Sequence, residues 1–328
     1  FLGNAAAVEN LIVIVVIYAL TIASMRFGWS KREHAAKENG SDAAAVCGLS
    51  PYKSPVIVYL DKTGEADTTI PDNEKMRIGR DLEEYVAQRF AEATGKKVRR
   101  NNYMMQHDSY PFMLADIDRE IVGEDAILEC KTTSSYGAKD WELEPPLHYQ
   151  IQCLHYLAVT GKARCYIAVL IGNEEFKWFT IERNEDTIND LIALEQEFWL
   201  NNVQAHQCPP PDGSPSCGEF LKKQYPHDDG ETQEISMQSF LDCKRLAETK
   251  AKIKELKNEE AQLEQNIKNE LKTAAVGSYD GETIVTWKTQ NRTSLDTTRI
   301  KKERPELYEQ YGKTTESRAF SLKLKLEA

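Results

Sequence analysis

An α/β fold with a mixed central sheet flanked by helices is what this chain predicts. Short apolar runs at Ala126–Thr132, Ala163–Ile171 and Glu174–Glu182 read as strands, and a helical stretch, Leu147–Val159, stopped at Gly161, lies between the first two. Phe112–Val122 and Ala126–Thr132 flank Gly123-Glu-Asp, a hairpin signature. Met76–Thr94 carries Ile78, Leu82, Val86 and Phe90 at spacings of four and ends at Gly95, the pattern of an amphipathic helix with a left-handed cap.

The other elements follow in chain order. Asn39 to Val46 reads as a turn into a short helix, with Ser41 and Asp42 as natural N-caps. Pro51 and Pro55 bracket a break, Val56–Lys62 is a helix, and Thr63–Asn73 is a polar loop. Lys96–Tyr103 is a short basic strand, and Glu185–Val203 is a long amphipathic helix. Ala205–Gly230 is rich in Pro, Gly, Ser and Asp and reads as a linker or surface loop. Ser236–Thr273 is a helix with Leu246, Ile253, Leu256, Leu263 and Ile267 on a near-heptad seam, weakened by Thr249 and Glu260. That seam is read as one side of an intramolecular helical hairpin, with an intermolecular coiled coil as the alternative. Ser278–Thr289 is a β-hairpin through Asp280-Gly281, Lys301–Tyr311 a short helix, and Ala319–Leu326 a strand-like tail. The expected domains are therefore an apolar segment (1–28), an α/β domain (29–204), a linker (205–235) and a helical plus β-hairpin extension (236–328).

Composition narrows the class. With 328 residues, 41% hydrophobic and 28% charged, the chain is neither collagenous, wholly disordered nor a multispan membrane protein. A net charge of −11 argues against binding nucleic acid by bulk charge, and leaves room for a local basic groove or for carboxylates that hold cations. The seven cysteines are scattered, with no CxxC pair, as in a reduced cytoplasmic protein. His206, Cys208, Cys217 and His227 lack zinc-type spacing and read as a loop with two free thiols.

Leu11–Met25 is apolar but, even with Ala5–Val8, only approaches the ~20 residues of a membrane span, and Glu9 and Asn10 interrupt it. The chain opens on Phe1 with no Met before Met25. The expectation is sequence upstream of the true start. A membrane anchor through 11–25 and a buried helix are the less favoured readings.

The chemistry is concentrated in the predicted hairpin. In a strand over 113–122, Asp116 and Asp118 share one face; in Ala126–Lys131, Glu129 and Lys131 share a face while Leu128 and Cys130 point into the core. Pairing the two strands gathers Asp118, Glu129 and Lys131 among apolar neighbours, which is costly unless the charges pair or hold a metal. Two carboxylates are hard oxygen ligands for Mg²⁺, or alternatively Mn²⁺, and lysine can orient water and offset developing charge. That is a minimal phosphodiesterase site; a surface hairpin with a salt bridge is the plainer alternative. Gln152 and Tyr156, four apart, share a helix face just after this strand, and Glu83 on the earlier helix could add a carboxylate.

The ordered combination resembles the YqaJ-like phage recombinase family, itself similar to phage lambda exonuclease and part of the PD-(D/E)xK nuclease superfamily. The residues that carry the resemblance are Gly40-Ser-Asp-Ala-Ala-Ala-Val-Cys-Gly-Leu-Ser-Pro-Tyr52 with Lys53-Ser-Pro55, Gly79-x-x-Leu-Glu83-x-x-Val86 and the Ile117-Asp118 strand. Leu128-Glu-Cys-Lys-Thr132 and Gln152-Cys-Leu-His-Tyr-Leu-Ala-Val-Thr-Gly161 complete the set. The match spans about Trp29 to Leu200, and Val285-Thr-Trp-Lys288 and Pro305-Glu-Leu-Tyr308 resemble the extension of longer members.

The resemblance implies a restriction-endonuclease-like core. It implies that Asp118, Glu129 and the Cys130 carbonyl hold metal, with Glu83 in support, that Lys131 is the catalytic lysine, and that Gln152 and Tyr156 complete the wall. It also implies that the Ser41-Asp42 turn takes a DNA phosphate. Asp118 is preferred over Asp116 because it matches the family position, although Ile117 stands where the superfamily expects Pro and Asn39 where Gly is frequent. The implied function is a metal-dependent exonuclease that resects double-stranded DNA ends for an annealing protein, as a homo-oligomer, with a ring as one form, in a bacterial host's cytoplasm. A structure- or sequence-specific endonuclease and a non-catalytic DNA-binding or assembly protein are the alternatives.

Overall fold

The computed structural model describes residues 37–68 and 71–324. The apolar segment and its anchor reading lie outside them. The chain divides into two units, one ending at Leu221 and the other beginning at Lys222.

The first unit is built on two sheets. β1 (Glu38–Asn39) leads straight into α1 (Gly40–Val46). The cap of α1 is Asn39, not Ser41 or Asp42: its side chain accepts from the Ser41 amide at 3.0 Å, and Asp42 closes a capping box onto the Asn39 amide. Helix α2 (Pro55–Thr63) has Ser54 as cap with Pro at its start, and Gly64 ends it at φ 69°. Helix α3 (Glu74–Thr94) is capped by Asn73 and stopped by Gly95 at φ 70°. Its Val86, Ala87 and Phe90 are buried, whereas Ile78, the first residue of the predicted stripe, is 44% exposed.

Strands β2 (Val98–Arg100), β3 (Met105–Gln106), β4 (Met113–Ala115), β5 (Arg119–Ile121) and β6 (Ala126–Thr133) follow. A 3-10 turn (Ser135–Trp141) leads to α4 (Leu147–Thr160), and then come β7 (Arg164–Ile171), β8 (Glu175–Glu182) and α5 (Glu185–Phe198). The larger sheet has the order β2-β5-β6-β7-β8. β6 and β7 run parallel, joined by the α4 crossover, and every other pairing in it is antiparallel. The smaller sheet has the order β1-β4-β3.

The expected strand over Phe112–Val122 is therefore two strands in two sheets, broken at Asp116-Ile117-Asp118. The physical reason lies in what each half buries. Met113 and Ala115 pack with α4 residues Cys153 and Leu157, while Ile121 packs with Val86 and Phe90 of α3. One straight strand cannot serve both layers, so the chain bends where the two acids sit. Both faces of β6 are covered: Ile127 belongs to the α4 side, Leu128 and Cys130 to the α3 side.

The stretch read as a linker contains helix α6 (Pro215–Gln224), whose Cys217 is buried against Val56, Tyr59 and Leu60 of α2. A polar Pro/Gly-rich composition hid it because only a few of its side chains face inward. In the second unit, Ser236 caps α7 (Met237–Leu271), a 35-residue helix with no buried residue. Its seam residues Leu256 and Leu263 are 63% and 56% exposed, and among the described residues no second helix of that length lies along it, contrary to the helical-hairpin reading. β9 (Val276–Tyr279) and β10 (Glu282–Thr286) form the expected hairpin, with Asp280 and Gly281 both at positive φ. The short helices α8 (Thr297–Glu303) and α9 (Pro305–Tyr311) follow, and the described part of the tail after 319 is irregular where a strand was expected. No helix among the described residues is long and apolar enough to cross a membrane.

Candidate active site

The register of β5 on β6 pairs Arg119 with Leu128 and Glu120 with Ile127. Continued by one residue, it sets Asp118 opposite Glu129. The bend at Asp118 lets its carboxylate fold onto the neighbouring strand, where Oδ2 accepts the Cys130 amide at 2.7 Å. A strand residue sends its N–H and C=O to the same edge, so the Cys130 carbonyl is presented on the side where Asp118 stands.

Helix α4 supplies the opposite wall. The Lys131 ammonium donates to Glu129 Oε1 at 2.6 Å and to Gln152 Oε1 at 3.0 Å. The Gln152 amide donates to the same Glu129 oxygen at 3.0 Å and is 2.9 Å from the Tyr156 hydroxyl. Tyr149, three residues before Gln152 on the same face, lies under the Lys131 ammonium at 4.6 Å from ring centre. The structure thus brings together Asp118, Glu129, Lys131, Gln152 and Tyr156. Asp116 is exposed, although its charge is felt at Glu129 and Tyr156.

The electrostatics are those of a site short of positive charge. Burial, then the Glu129 carboxylate, pushes Asp118 up to about 8. Burial also raises Glu129, against the pull of Lys131. For Lys131 burial opposes the charge, but Glu129 outweighs it and holds the ammonium above its ordinary range. Glu129 Oε2 is buried with no hydrogen-bond partner.

Among the described residues, no three His, Cys, Asp or Glu side chains converge into a ready ion-binding group. The donor set that is present, two carboxylates and a backbone carbonyl, nevertheless suits a hard divalent cation. An orphaned buried carboxylate oxygen beside a carboxylate raised by its neighbour is the deficit such a cation would fill.

Three expected contributors have partners of their own, although the Glu83 charge is still felt at Asp118 and Glu129. Glu83 is not turned to the carboxylate pair: it accepts from Arg119 Nη1 at 2.6 Å, and Glu84 accepts from Nη2 at 2.8 Å, because the buried Arg119 side chain faces α3 and needs both. Asp42 is fully buried and held by Lys62 at 2.7 Å and Lys53 at 3.0 Å, so its carboxylate is unavailable to DNA. The exposed Ser41 donates both its amide and its hydroxyl to Asn39, so neither is free for the DNA phosphate expected at that turn. For Glu83 and Asp42 the cause is the same: each was read from its own type, while its cationic partner comes from another segment.

Other contributors were missed. Tyr149 was legible, since 149, 152 and 156 fall on one helical face. Gly40 was legible only as a motif letter. A Cβ there would sit 2.3 Å from the Tyr156 ring, so the residue is glycine to let that ring lie on the start of α1. His155 too was legible only as a motif letter, with nothing to say what it touches. It is fully buried, with Nδ1 2.9 Å from both Glu195 oxygens and Nε2 2.9 Å from the Leu114 carbonyl.

Comparison with known proteins places these residues in context. The family described as YqaJ-like viral recombinase domain matches residues 29–163. The YqaJ protein of Bacillus subtilis (strain 168), itself uncharacterized, is 39% identical over 288 residues, covering 87% of this chain and 90% of that one. Among solved structures, the alkaline exonuclease LHK-Exo from Laribacter hongkongensis is 18% identical, covering 58% of this chain and 94% of its own, with a TM-score of 0.44. A phage-related exonuclease from Haemophilus somnus 129PT is 13% identical, covering 52% and 96%, with a TM-score of 0.38.

Proposed function

The chain belongs to the YqaJ-like viral recombinase family, and we propose that it is a divalent-metal-dependent deoxyribonuclease that resects double-stranded DNA ends for recombination. The observation that carries this reading is the unpartnered, buried Glu129 Oε2 across the strand pair from Asp118, with Lys131 alongside.

Asp118, Glu129 and the Cys130 carbonyl would hold Mg²⁺, or Mn²⁺ in its place, and the ion would supply Lewis acidity toward a phosphoryl oxygen and acidity to bound water. The protein supplies the rest. Lys131 places a fixed ammonium where negative charge develops on the phosphate. Gln152 fixes that ammonium and the Glu129 oxygen at once, using its carbonyl for one and its amide for the other. Tyr156 donates its order rather than its proton: burial raises its hydroxyl well above the ordinary range, so it stays neutral. The apolar layers behind β6 exclude water and keep the two carboxylates from relaxing into solvent.

Double-stranded DNA ends as substrate, a single-strand annealing protein as partner and a homo-oligomer as working form complete the proposal. End-labelled linear duplex with Mg²⁺ tests it. Nucleotides released from the ends, with covalently closed circles left intact, are expected. Cutting of the circle would transfer the site to an endonuclease, and DNA binding without cleavage in any divalent metal would reject catalysis.

A further inference from the structure

The second unit has no core of its own. Among its described residues none is buried, and α7 holds 35 residues in the open. A single ion pair there, Glu264 with Lys268, ties one turn of the helix to the next. In proteins most helical stability comes from packing an apolar face, and a helix exposed on every side needs many such pairs or a partner. The seam of α7 offers such a face: Ile253, Leu256, Leu263 and Ile267 are exposed and Leu246 is half-buried.

Charge is divided along the same helix. Residues 244–257 hold six cations and two acids, and residues 258–271 hold four acids and one cation. Such a helix is its own complement when turned end for end. Two copies laid antiparallel set each basic half against an acidic half, whereas two laid parallel set like on like.

The seam has the same property. On the heptad, Leu246, Ile253, Glu260 and Ile267 occupy one set of seam positions and Thr249, Leu256 and Leu263 the other. Antiparallel helices pack one set against the other. When Ile253 meets Leu256 of a second copy, the same register brings Leu246 to Leu263 and Thr249 to Glu260. Apolar then meets apolar, and the two polar interruptions meet each other, the threonine hydroxyl donating to the carboxylate. Only Ile267 faces a polar residue, Asp242, at the outer end of the seam. A slip of one heptad in either direction sets Thr249 against an isoleucine.

We propose that α7 pairs antiparallel with α7 of a second copy of this chain along the seam over 246–267, with the Thr249–Glu260 contact fixing the register. The inference rests on the homo-oligomeric part of the proposed function and supplies its interface; it makes no use of the nuclease site. The contact is two-fold and closes on itself, so it joins chains, or larger assemblies of them, in pairs. A polar layer inside an apolar seam weakens the pairing somewhat and excludes the other registers.

Sedimentation equilibrium of the full chain tests this. The wild-type chain should sediment as pairs or as assemblies with an even number of chains. Ile253→Asp with Leu256→Asp should halve that mass, the pairing constant weakening about a hundredfold or more. Nucleotide release from linear duplex in Mg²⁺ should persist in this variant, because the first unit holds the site. Orientation is read from charge. Lys250→Glu, Lys252→Glu and Lys254→Glu together make both halves acidic and should weaken pairing about tenfold. Adding Glu259→Lys, Glu264→Lys and Glu270→Lys inverts the original pattern, which is again its own complement on reversal, and should restore pairing. A wild-type chain that stays monomeric overturns the proposal together with the homo-oligomer and leaves the seam to another protein. A multimer whose mass the two Asp substitutions leave unchanged overturns the helix pairing alone. A three-residue change that does not weaken pairing, or a six-residue inversion that does not restore it, overturns the antiparallel arrangement. Absence of nucleotide release by the wild-type chain sinks the nuclease reading and leaves the pairing untouched.

Discussion

Helix α4 feeds two buried charge clusters that differ in one respect. His155 points to Glu195 and the Leu114 carbonyl, and both of its ring nitrogens are satisfied. On another face of the helix Gln152 bonds Glu129, Lys131 and the Tyr156 hydroxyl, where a carboxylate oxygen is left over and the neighbouring Asp118 is pushed up to about 8. Both clusters contain ionisable groups in apolar surroundings. The closed one ties β4, α4 and α5 together. The open one keeps an unmet demand for positive charge, as a site that acts on something must. The His155–Glu195 pair is complete in itself, although the buried Glu38 nearby keeps both carboxylate oxygens without a hydrogen-bond partner; what marks the candidate site is an unmatched carboxylate oxygen together with a second acid, a lysine and a backbone carbonyl.

Breaking each cluster should give opposite signatures. Asp118→Asn should lower Mg²⁺-dependent nucleotide release about a thousandfold or more. Its melting temperature should hold or rise, because a crowded negative charge has gone; a clear fall in melting temperature would erase the distinction between the clusters. Glu195→Ala should do the reverse. Leaving the His155 imidazole unpaired in the core should cost about 3–5 kcal/mol in denaturant unfolding, with activity lost only in proportion to the unfolded fraction.

Mg²⁺ sharpens the contrast without any assay of catalysis. At a hundredfold excess over its dissociation constant it should stabilise the wild-type chain by about 2.7 kcal/mol, and Asp118→Asn by much less. Equal stabilisation of both would place the ion elsewhere. Gly40→Ala sets a methyl group against the Tyr156 ring, and about 1–3 kcal/mol of stability should go, together with activity as the Gln152–Tyr156 contact shifts.

The smallest effect is the pH dependence of the closed cluster. Burial alone would lower His155, but Glu195 and the Leu114 carbonyl outweigh it and raise its pKa above 6.5. The contribution is fully present below the unfolded histidine's pKa and is lost as pH rises through the folded value. The stability gap between wild type and Glu195→Gln should therefore narrow with rising pH above neutrality.

Much of this was readable along the chain. The strands of the larger sheet, the α4 crossover and the hairpin of the second unit announce themselves through apolar periodicity, Gly caps and Asp280-Gly281. The cluster Asp118, Glu129, Lys131, Gln152 and Tyr156 was legible because two local rules, strand alternation in β6 and the four-residue step on α4, put the right side chains on facing surfaces. The partnerships of Glu83 and Asp42 were not legible. Glu83 meets Arg119, 36 residues away in sequence, and His155 meets Glu195, 40 away. No periodicity within either segment encodes such a pairing.

The sequence by itself determined which residues lie on the same face of an element, since that depends only on the 2.0 and 3.6 repeats of strand and helix. The tertiary structure alone decided where the strand before Asp118 bends, which acids find cations and which oxygen of Glu129 stays unmatched. Those outcomes depend on how two packed layers compete for the same stretch of chain, and on desolvation, which exists only once the layers have closed around the charge.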